Sequence, residues 1–274
     1  MSYKMMVATL TAGLTAAASF ALDEYNPVPA RVMQINIGVE RTSISGNYQS
    51  TWESDGKSNP NNPTALPMQG KFGLLDQLEG SMEVRYLAVD DQGHTGLDRP
   101  VLALKYGDPV SGGGGFLAIA LPVGFEDIMN AGNYASMTFG AMYNKAFPMV
   151  NLMSNLSYTF NTEDNEKTKI DNLRMFAKPE YALNLPALTK RGQYLGLNLA
   201  FAYDFSFNRM VKGASVDDGA NLFVVAPGAY YTFNKVVSAE MEFPISLSGQ
   251  SQPETQVFRL ELFFTLDEGL YNSL

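Results

Sequence analysis

A long run of alternating apolar and small or polar residues lies between Tyr194 and Phe207. Successive side chains of a β-strand point to opposite faces, so every second residue of the run shares a face. One face carries Leu195, Leu197, Leu199, Phe201, Tyr203, Phe205 and Phe207, and the other carries Tyr194, Gly196, Asn198, Ala200, Ala202, Asp204 and Ser206. Strands in soluble proteins usually have about 5–6 residues, whereas a tilted strand needs about 9–11 to cross a bilayer. The run therefore predicts a membrane-crossing strand with a lipid-facing apolar side.

Similar alternation recurs along the chain and predicts about twelve strands, an even number that is typical of bacterial single-chain barrels. The predicted strands are Val32–Arg41, Met68–Leu74, Glu79–Val89, Arg99–Tyr106, Phe116–Phe125, Tyr134–Asn144, Met149–Asn161, Asp171–Asn184, Tyr194–Phe207, Ala220–Phe233, Val236–Leu247 and Thr255–Leu266. The predicted fold is all-β: a transmembrane, antiparallel, up-and-down β-barrel over residues 32–266.

The connections between these strands alternate in length, as expected for an outer-membrane barrel with short periplasmic turns and longer outer loops. The longer polar connections are Thr42–Pro67, Asp90–Asp98, Glu126–Asn133, Thr162–Ile170, Asn208–Gly219 and Ser248–Glu254. Tight turns are predicted at Lys145–Pro148 and Asn234-Lys235, with Gly107–Gly115 and Pro186–Gly192 as longer exceptions. Aromatic residues near both ends of the strands predict two interfacial girdles, which a soluble β-sandwich would not require.

The N-terminal segment Met1–Ala21 has the features of a secretory signal peptide: Lys4, an apolar run and a small-x-small site at Ser19-Phe20-Ala21. Residues 22–31 then form a periplasmic lead-in and residues 267–274 a C-terminal tail. The formal net charge of −9 argues against nucleic-acid binding, which requires a basic face. The absence of cysteine excludes disulfides and thiolate metal sites.

The polar faces of the predicted strands collect charges of both signs. These candidate pore-lining residues are Glu83, Arg85, Arg99, Lys105, Arg174, Lys178, Glu180, Asp204, Glu240, Glu242, Arg259 and Glu261. They either pair and stiffen the barrel or line a path for solutes, and the two roles are compatible. About twelve strands lies between filled eight-stranded barrels and open barrels of 16–18 strands, so the sequence allows either a narrow pore or a plugged lumen.

Other motifs carry little chemistry. The only histidine, His94, would be the sole possible base for an outer-membrane hydrolase. The acidic groups Glu126-Asp127 and Glu163-Asp164 with Glu166 are better explained as solvated loop charge than as a cation site. The glycines at 112–115 are followed by neither a Gly-Lys-Ser/Thr motif nor a helix, so we expect a turn there. No catalytic residue, metal site or cofactor is predicted.

Three segments resemble a known family: Leu78–Asp91 (LEGSMEVRYLAVDD), Gly96–Pro109 (GLDRPVLALKYGDP) and Leu117–Asp127 (LAIALPVGFED). They are similar to bacterial outer-membrane channels associated with the meta-pathway of phenol degradation, distant relatives of the transporter barrels for hydrophobic compounds and fatty acids. The closing segment Ile245–Leu266 is also similar. The resemblance implies an outer-membrane barrel that passes small apolar or aromatic solutes. The chain departs from many barrels because a tail follows its last strand.

The leading functional hypothesis is a porin-like channel for passive diffusion of small solutes in the outer membrane of a Gram-negative cell. A structural or surface-interaction barrel with a sealed lumen is the alternative, and a barrel-wall hydrolase is a third. The expected partners are outer-membrane lipid, small-molecule solutes and, during insertion, the barrel-assembly machinery.

Overall fold

The computed structural model describes residues 27–49, 51, 53–56, 62–88, 95–122, 134–162, 168–183, 185, 188, 193–216 and 219–267. Within these ranges the chain forms seventeen strand segments. They are β1 (Met33–Asn47), β2 (Thr64–Leu75), β3 (Leu78–Ala88), β4 (Thr95–Leu97), β5 (Val101–Gly107), β6 (Gly113–Ala120), β7 (Ser136–Ala146), β8 (Val150–Asn161), β9 (Thr168–Lys169), β10 (Asn172–Ala182), β11 (Tyr194–Ser206), β12 (Arg209–Val211), β13 (Ala214–Val216), β14 (Ala220–Thr232), β15 (Val237–Glu242), β16 (Ile245–Gln250) and β17 (Pro253–Leu266). Among the described residues, none of the helical structure has the length and apolarity of a membrane-spanning helix.

The described strands close into a twelve-strand antiparallel β-barrel, as the sequence predicts. The segments β4 and β5 both pair with β3, and β15 and β16 both pair with β14, so each pair counts as one interrupted barrel strand. Closure is made by β1 against β17, whose register runs from Met33 opposite Leu266 to Asn47 opposite Pro253. A closed barrel leaves no unpaired sheet edge, which is the condition for strands to cross a membrane.

Proline marks both interruptions, because it has no backbone N–H to give to the ladder. Pro100 separates β4 from β5, and Pro244 separates β15 from β16. Neighbouring strands still use the proline carbonyls: Leu121 N donates to Pro100 O at 2.9 Å, and Val257 N donates to Pro244 O at 2.8 Å. The wall therefore stays closed across both interruptions.

The two faces of each strand differ as alternation predicts. On β11, Leu199 is 40% exposed on the outside while its neighbour Ala200 is 2% exposed on the inside. The outer surface as a whole carries large exposed apolar side chains, among them Ile37, Met68, Phe72, Met82, Leu102, Leu104, Leu117, Ile119, Phe139, Leu156, Met175, Leu197 and Leu262. A continuous apolar belt of this kind is typical of a surface that contacts hydrocarbon.

Short connections cluster at one end of the barrel, here called the turn end, where β1 begins and β17 ends. Asn234 forms one such turn, because its Oδ1 accepts hydrogen bonds from Val236 N at 2.8 Å and Val237 N at 2.9 Å. Asp108 forms another and accepts from the Ser111 hydroxyl at 2.7 Å. The Ser111 hydroxyl and the Val110 amide hold the pKa of Asp108 below its usual range.

At the opposite end, here called the loop end, two connections of the described chain are shorter than the sequence predicts. The strand β1 continues through residues 42–47 and β2 starts at Thr64, so the predicted Thr42–Pro67 loop is too long. The predicted loop Ser248–Glu254 is wrong, because only residues 251–252 separate β16 from β17. At the turn end, Gly113 already belongs to β6, so the connection after β5 spans residues 108–112 and is also shorter than expected.

Aromatic residues meet at both ends. At the loop end Phe205 and Phe207 pack edge to face, with ring centroids 5.0 Å apart. At the turn end Tyr231 and Phe233 do the same at 4.8 Å. Phe243 does not belong to a girdle, because it lies at the interruption between β15 and β16 and that barrel strand continues to Gln250. A separate small sheet of β9, β12 and β13 stands at the loop end.

Candidate functional site: the barrel interior

Charged and amide side chains fill much of the interior. The buried members are Asn36, Glu40, Gln69, Lys71, Glu79, Glu83, Arg85, Asp98, Lys105, Asn155, Arg174, Lys178, Glu180, Asn198, Asn221, Glu242 and Arg259. Each except Asp98, which lies between β4 and β5, belongs to the face of its strand that alternates with the exposed apolar face. Buried charges are costly unless they are paired, so the arrangement of partners decides what this interior can do.

Arg259 on β17 is held by carboxylates on both neighbouring strands. Glu40 on β1 and Glu242 on β15 both stand directly opposite Arg259 in their registers. The Glu40 Oε2 atom accepts from Arg259 Nη2 at 2.7 Å, and Glu242 Oε2 lies 3.6 Å from Arg259 Nη1. Glu40 also accepts a hydrogen bond from Arg85 on β3, across the intervening β2. Two arginines thus share one carboxylate midway along the wall.

Lys178 extends this group across the interior. It projects from β10, whereas its partners Glu240 and Glu242 belong to β15, with β11 and β14 between them. The ammonium contacts Glu240 and lies 2.6 Å from Glu242 Oε1. Glu240 also accepts from Asn198 Nδ2 on β11 at 2.7 Å. We call Lys178, Glu240 and Glu242 the cross-lumen triad.

Glycines on the intervening strands β11 and β14 leave room for the long side chains that reach across them. A methyl group added at Gly228 on β14 would lie 2.9 Å from Glu242 Cγ. One added at Gly196 on β11 would lie 2.9 Å from the carboxyl carbon of Glu180. Among the described residues, Glu180 is the most buried large side chain, at 1% exposure, and it accepts a hydrogen bond from the Tyr194 hydroxyl at 2.8 Å. Long acidic side chains therefore lie flat over these glycines.

A second ionic group lies nearer the turn end. Lys105 Nζ on β5 is 3.9 Å from Glu79 Oε1 on β3, and both side chains are almost fully buried. Lys71 on β2 interacts electrostatically with Glu79, Glu83 and Glu261. This group connects the turn end to the mid-wall arginines, so ionic side chains follow one side of the interior over most of its length.

The interior also has apolar surfaces. Phe176 on β10 packs with Ala200 and Ala202 on β11 and with Ala226 on β14. A second group is formed by Phe116 and Ala118 on β6. Small residues beside an aromatic ring make a surface that an apolar or aromatic molecule can contact without displacing long side chains.

The sequence-predicted residues on the barrel strands have different partners, and Arg99 lies apart from the groups above. Arg174 Nη1 on β10 is 3.7 Å from Asp204 Oδ1 on β11. Arg99, between β4 and β5, lies at the loop end, where its guanidinium stacks 4.0 Å from the Tyr134 ring centroid. Glu261 stands opposite Glu240 in the β15–β17 register. Whether any of them lines a solute path stays a prediction.

Sequence reasoning missed four interior charges: Glu40, Lys71, Glu79 and Asp98. Glu40 was detectable, because it alternates with Val39 on the predicted first strand. Lys71 was equally detectable, because it precedes the outward-facing Phe72 within the predicted second strand. Glu79 is the second residue of β3, where the apolar pattern that assigns faces is weakest. Asp98 sits in the break before β5, where its carboxylate accepts from Arg99 N at 2.7 Å.

Some predictions fall outside the described residues. These include the signal peptide, His94, the acidic groups at 126–127 and 163–166, and the tail beyond residue 267. The hydrolase hypothesis therefore stays a prediction. Among the described residues there is no cluster of three or more potential metal ligands.

Comparisons with known proteins identify the fold rather than a family. No protein-family model and no curated protein matches the sequence. Among solved structures, the COG4313 outer membrane channel from Pseudomonas putida F1 is similar with a TM-score of 0.72, at 12% identity, over 89% of this chain and 98% of that one. The NanC porin has a TM-score of 0.53 at 9% identity, over 85% of this chain and 100% of that one. The translocator domain of the autotransporter NalP from Neisseria meningitidis has a TM-score of 0.53 at 7% identity, over 95% of this chain and 97% of that one. The chain thus has the fold of outer-membrane β-barrels.

Proposed function

We propose that this chain is an outer-membrane channel through which small solutes diffuse passively. The observation that carries the proposal is a closed barrel with an apolar outer belt and an interior that combines ion pairs with apolar surfaces. The belt requires a hydrocarbon environment, and closure satisfies the backbone groups there. The similar structure from Pseudomonas putida is itself described as an outer membrane channel.

The solutes we propose are small and apolar or aromatic. The group around Phe176 offers an aromatic face flanked by alanines, a surface that favours such molecules over sugars. The sequence resemblance to channels for aromatic degradation supports the same class. The ionic side of the interior would orient a polar substituent, such as a hydroxyl or carboxylate, away from that apolar surface.

Placement in the outer membrane of a Gram-negative cell is part of the same proposal. It requires export through the signal peptide at residues 1–21 and insertion by the barrel-assembly machinery. By analogy with other barrels, the turn end then faces the periplasm. Mature protein recovered from outer-membrane fractions should begin at Leu22, and protein that keeps Met1 there would contradict the export step.

A barrel with a sealed lumen is the second candidate, and one observation favours it. The mid-wall ionic side chains are nearly inaccessible to water, with Arg259 at 6% and Glu242 at 4% exposure. Such burial is typical of a filled interior, in which the charges serve to hold the wall together.

Reconstitution separates the two candidates. We expect discrete conductance steps in planar bilayers and, in liposomes, entry of benzoate above the protein-free rate. Reversing one interior charge by Glu261→Lys should shift the reversal potential towards anions, whereas Lys212→Glu in the exposed β12–β13 turn should leave it unchanged. Absence of both conductance and uptake in correctly folded protein would exclude the channel and leave the sealed barrel.

A further inference from the structure

A row of amide and carboxylate side chains crosses the inner wall from β1 to β3, on the turn-end side of the mid-wall arginines. Asn36 on β1 stands opposite Gln69 on β2, and Gln69 stands opposite Glu83 on β3. Residues directly opposite each other on neighbouring strands have Cβ atoms about 4.5–5.5 Å apart, so the three side chains are neighbours. Asn36 Nδ2 donates a hydrogen bond to Gln69 Oε1 at 2.9 Å.

Glu261 on β17 approaches this row from the other side of β1. Its register partner on β1 is Gly38, and a methyl group added there would lie 3.0 Å from Glu261 Cγ. The Glu261 side chain therefore lies against β1, in the space that the glycine leaves. Glu83 and Glu261 are close enough to repel each other electrostatically. We call Asn36, Gln69, Glu83 and Glu261 the amide–carboxylate site.

Two oxygen atoms of the site are buried without a hydrogen-bond donor. They are Glu83 Oε2 and Asn36 Oδ1, on side chains that are 7% and 5% exposed. Buried polar atoms without a partner are uncommon in folded proteins and each requires an explanation. Both atoms are acceptors, so their partner must supply either a proton or a positive charge.

The balance of charge favours a positive ion. Among the described residues, the mid-wall group combines three carboxylates with three cations. They are Glu40, Glu240 and Glu242 with Arg85, Arg259 and Lys178. In the same part of the chain, the group on the turn-end side combines three carboxylates with two cations, which are Glu79, Glu83 and Glu261 with Lys71 and Lys105. Buried carboxylates need compensating charge, and here one carboxylate is in excess.

The excess falls on the amide–carboxylate site rather than on Glu79. Lys105 Nζ lies 3.9 Å from Glu79 Oε1, and Val28 N donates to Glu79 Oε2 at 2.8 Å. Both oxygens of Glu79 therefore have a positive neighbour. Lys71 interacts electrostatically with Glu83 and with Glu261, so these two carboxylates share one lysine.

We propose that the amide–carboxylate site binds one monovalent alkali cation, Na⁺ or K⁺, which balances the charge of Glu83 and Glu261. Carboxylate and amide oxygens are the ligands that hard cations prefer. A single charge matches the single excess carboxylate, and the site has two acidic ligands rather than three. This inference does not depend on the passage of solutes through the barrel.

Unfolding of the full chain by urea is the first test, since urea adds no cation. Ionic strength is held constant with N-methylglucamine chloride, whose cation is too bulky for a site between neighbouring strands. When Na⁺ or K⁺ replaces it, each tenfold rise above the dissociation constant should lower the unfolding equilibrium constant about tenfold, because the ion binds only the folded chain.

Two variants locate the effect. Glu83→Gln removes one ligand charge, and the same change of salt should then alter the unfolding equilibrium constant by less than about twofold. Asp204→Asn is the matched control, because Asp204 is an interior carboxylate that already has Arg174 at 3.7 Å. It should keep the salt dependence of wild type.

Direct binding is the second test and does not depend on Glu83→Gln folding. Equilibrium dialysis of the folded barrel in detergent against radioactive sodium should give one ion per chain, displaced by K⁺. Asn36→Asp adds a second negative charge to the site, so Ca²⁺ should stabilise this variant more strongly than Na⁺ does.

The outcomes decide whether a cation or a proton compensates the site. If wild type unfolds alike in sodium, potassium and N-methylglucamine salts, or binds no sodium, a proton does so and the proposal is overturned. A salt dependence that persists in Glu83→Gln, or an Asn36→Asp variant that does not prefer Ca²⁺, overturns the assignment to these residues. Stabilisation of wild type by Ca²⁺ alone overturns the monovalent assignment.

Discussion

Replacing Lys178 by methionine tests whether the cross-lumen triad holds the barrel together. Methionine keeps most of the length and apolar contact of the side chain but removes its charge. The ammonium contacts Glu240 and lies 2.6 Å from Glu242 Oε1, in an interior where all three side chains are largely buried. The substitution therefore leaves buried carboxylates with one cation fewer.

Glu240 and Glu242 retain different partners after the substitution. Glu242 retains Arg259 at 3.6 Å. Glu240 retains the amide of Asn198 at 2.7 Å but also stands opposite another carboxylate, that of Glu261. Removing one partner of a buried ion pair costs about 3–5 kcal/mol, so we expect Lys178→Met to lower the free energy of unfolding by that amount. Most of the loss should come from Glu240.

A double-mutant cycle measures the coupling between Lys178 and Glu240. The protein is unfolded with guanidinium in lipid vesicles, and circular dichroism monitors the unfolding. Adding Glu240→Gln to Lys178→Met should recover about 1.5–2 kcal/mol, because the uncompensated charge is removed. The exposed Lys212→Met is the matched control, and we expect a change within about 0.5 kcal/mol. If the two interior substitutions are additive to within about 0.5 kcal/mol, Lys178 and Glu240 are not coupled and the reasoning fails.

Three other predictions concern the wall, its outer belt and one turn. Tyr194→Phe removes the donor to buried Glu180 and should cost about 1–3 kcal/mol of unfolding free energy, whereas the exposed Tyr181→Phe should cost much less. Leu199→Arg on the lipid-facing side of β11 should lower the free energy of unfolding in vesicles by about 2–4 kcal/mol. An arginine introduced at an exposed loop position should change it little. Because the pKa of Asp108 is lowered in the fold, its contribution is complete above its unfolded pKa and is lost as the pH falls through its folded value. In Asp108→Asn the free energy of unfolding should therefore decrease less at acidic pH than in wild type. An unchanged pH dependence would show that Asp108 makes no such contribution.

The sequence predicts the membrane-crossing parts of this fold well, because there the solvent differs on the two faces of each strand. The run Tyr194–Phe207 becomes β11 over Tyr194–Ser206, with its apolar face outside as expected. Beyond the apolar belt both faces meet polar surroundings and alternation disappears. Residues 42–47 of β1 are mostly polar, a pattern that predicts a loop, but they pair with β17 through Thr42 opposite Val257 and Asn47 opposite Pro253. Hydrogen bonds to a neighbouring strand, which leave no mark in one strand's sequence, extend β1 there.

The interior could be predicted as a face but not as a set of contacts. Alternation assigns Lys178 and Glu240 to the inside, yet they are separated by 62 residues and two intervening strands. Which charges meet depends on the stagger of every strand between them and on glycines such as Gly228 that let side chains lie across the wall. The inward fold of Pro27–Arg31 is missed for a related reason, because the position of this segment is determined by the missing side chain of Gly73 rather than by its own residues.

The ion pairs also explain how a barrel with so much apolar surface keeps one register. A slip of one residue exchanges the two faces of a strand. In β17 such a slip would turn Arg259 and Glu261 towards lipid, at about 2–4 kcal/mol for an arginine at the bilayer midplane, and would separate Arg259 from Glu40 and Glu242. In a soluble core, apolar residues often replace a buried ion pair without loss. Here the same replacement would make the inner face resemble the outer one and remove that penalty, so the interior charges specify which side of each strand is inside.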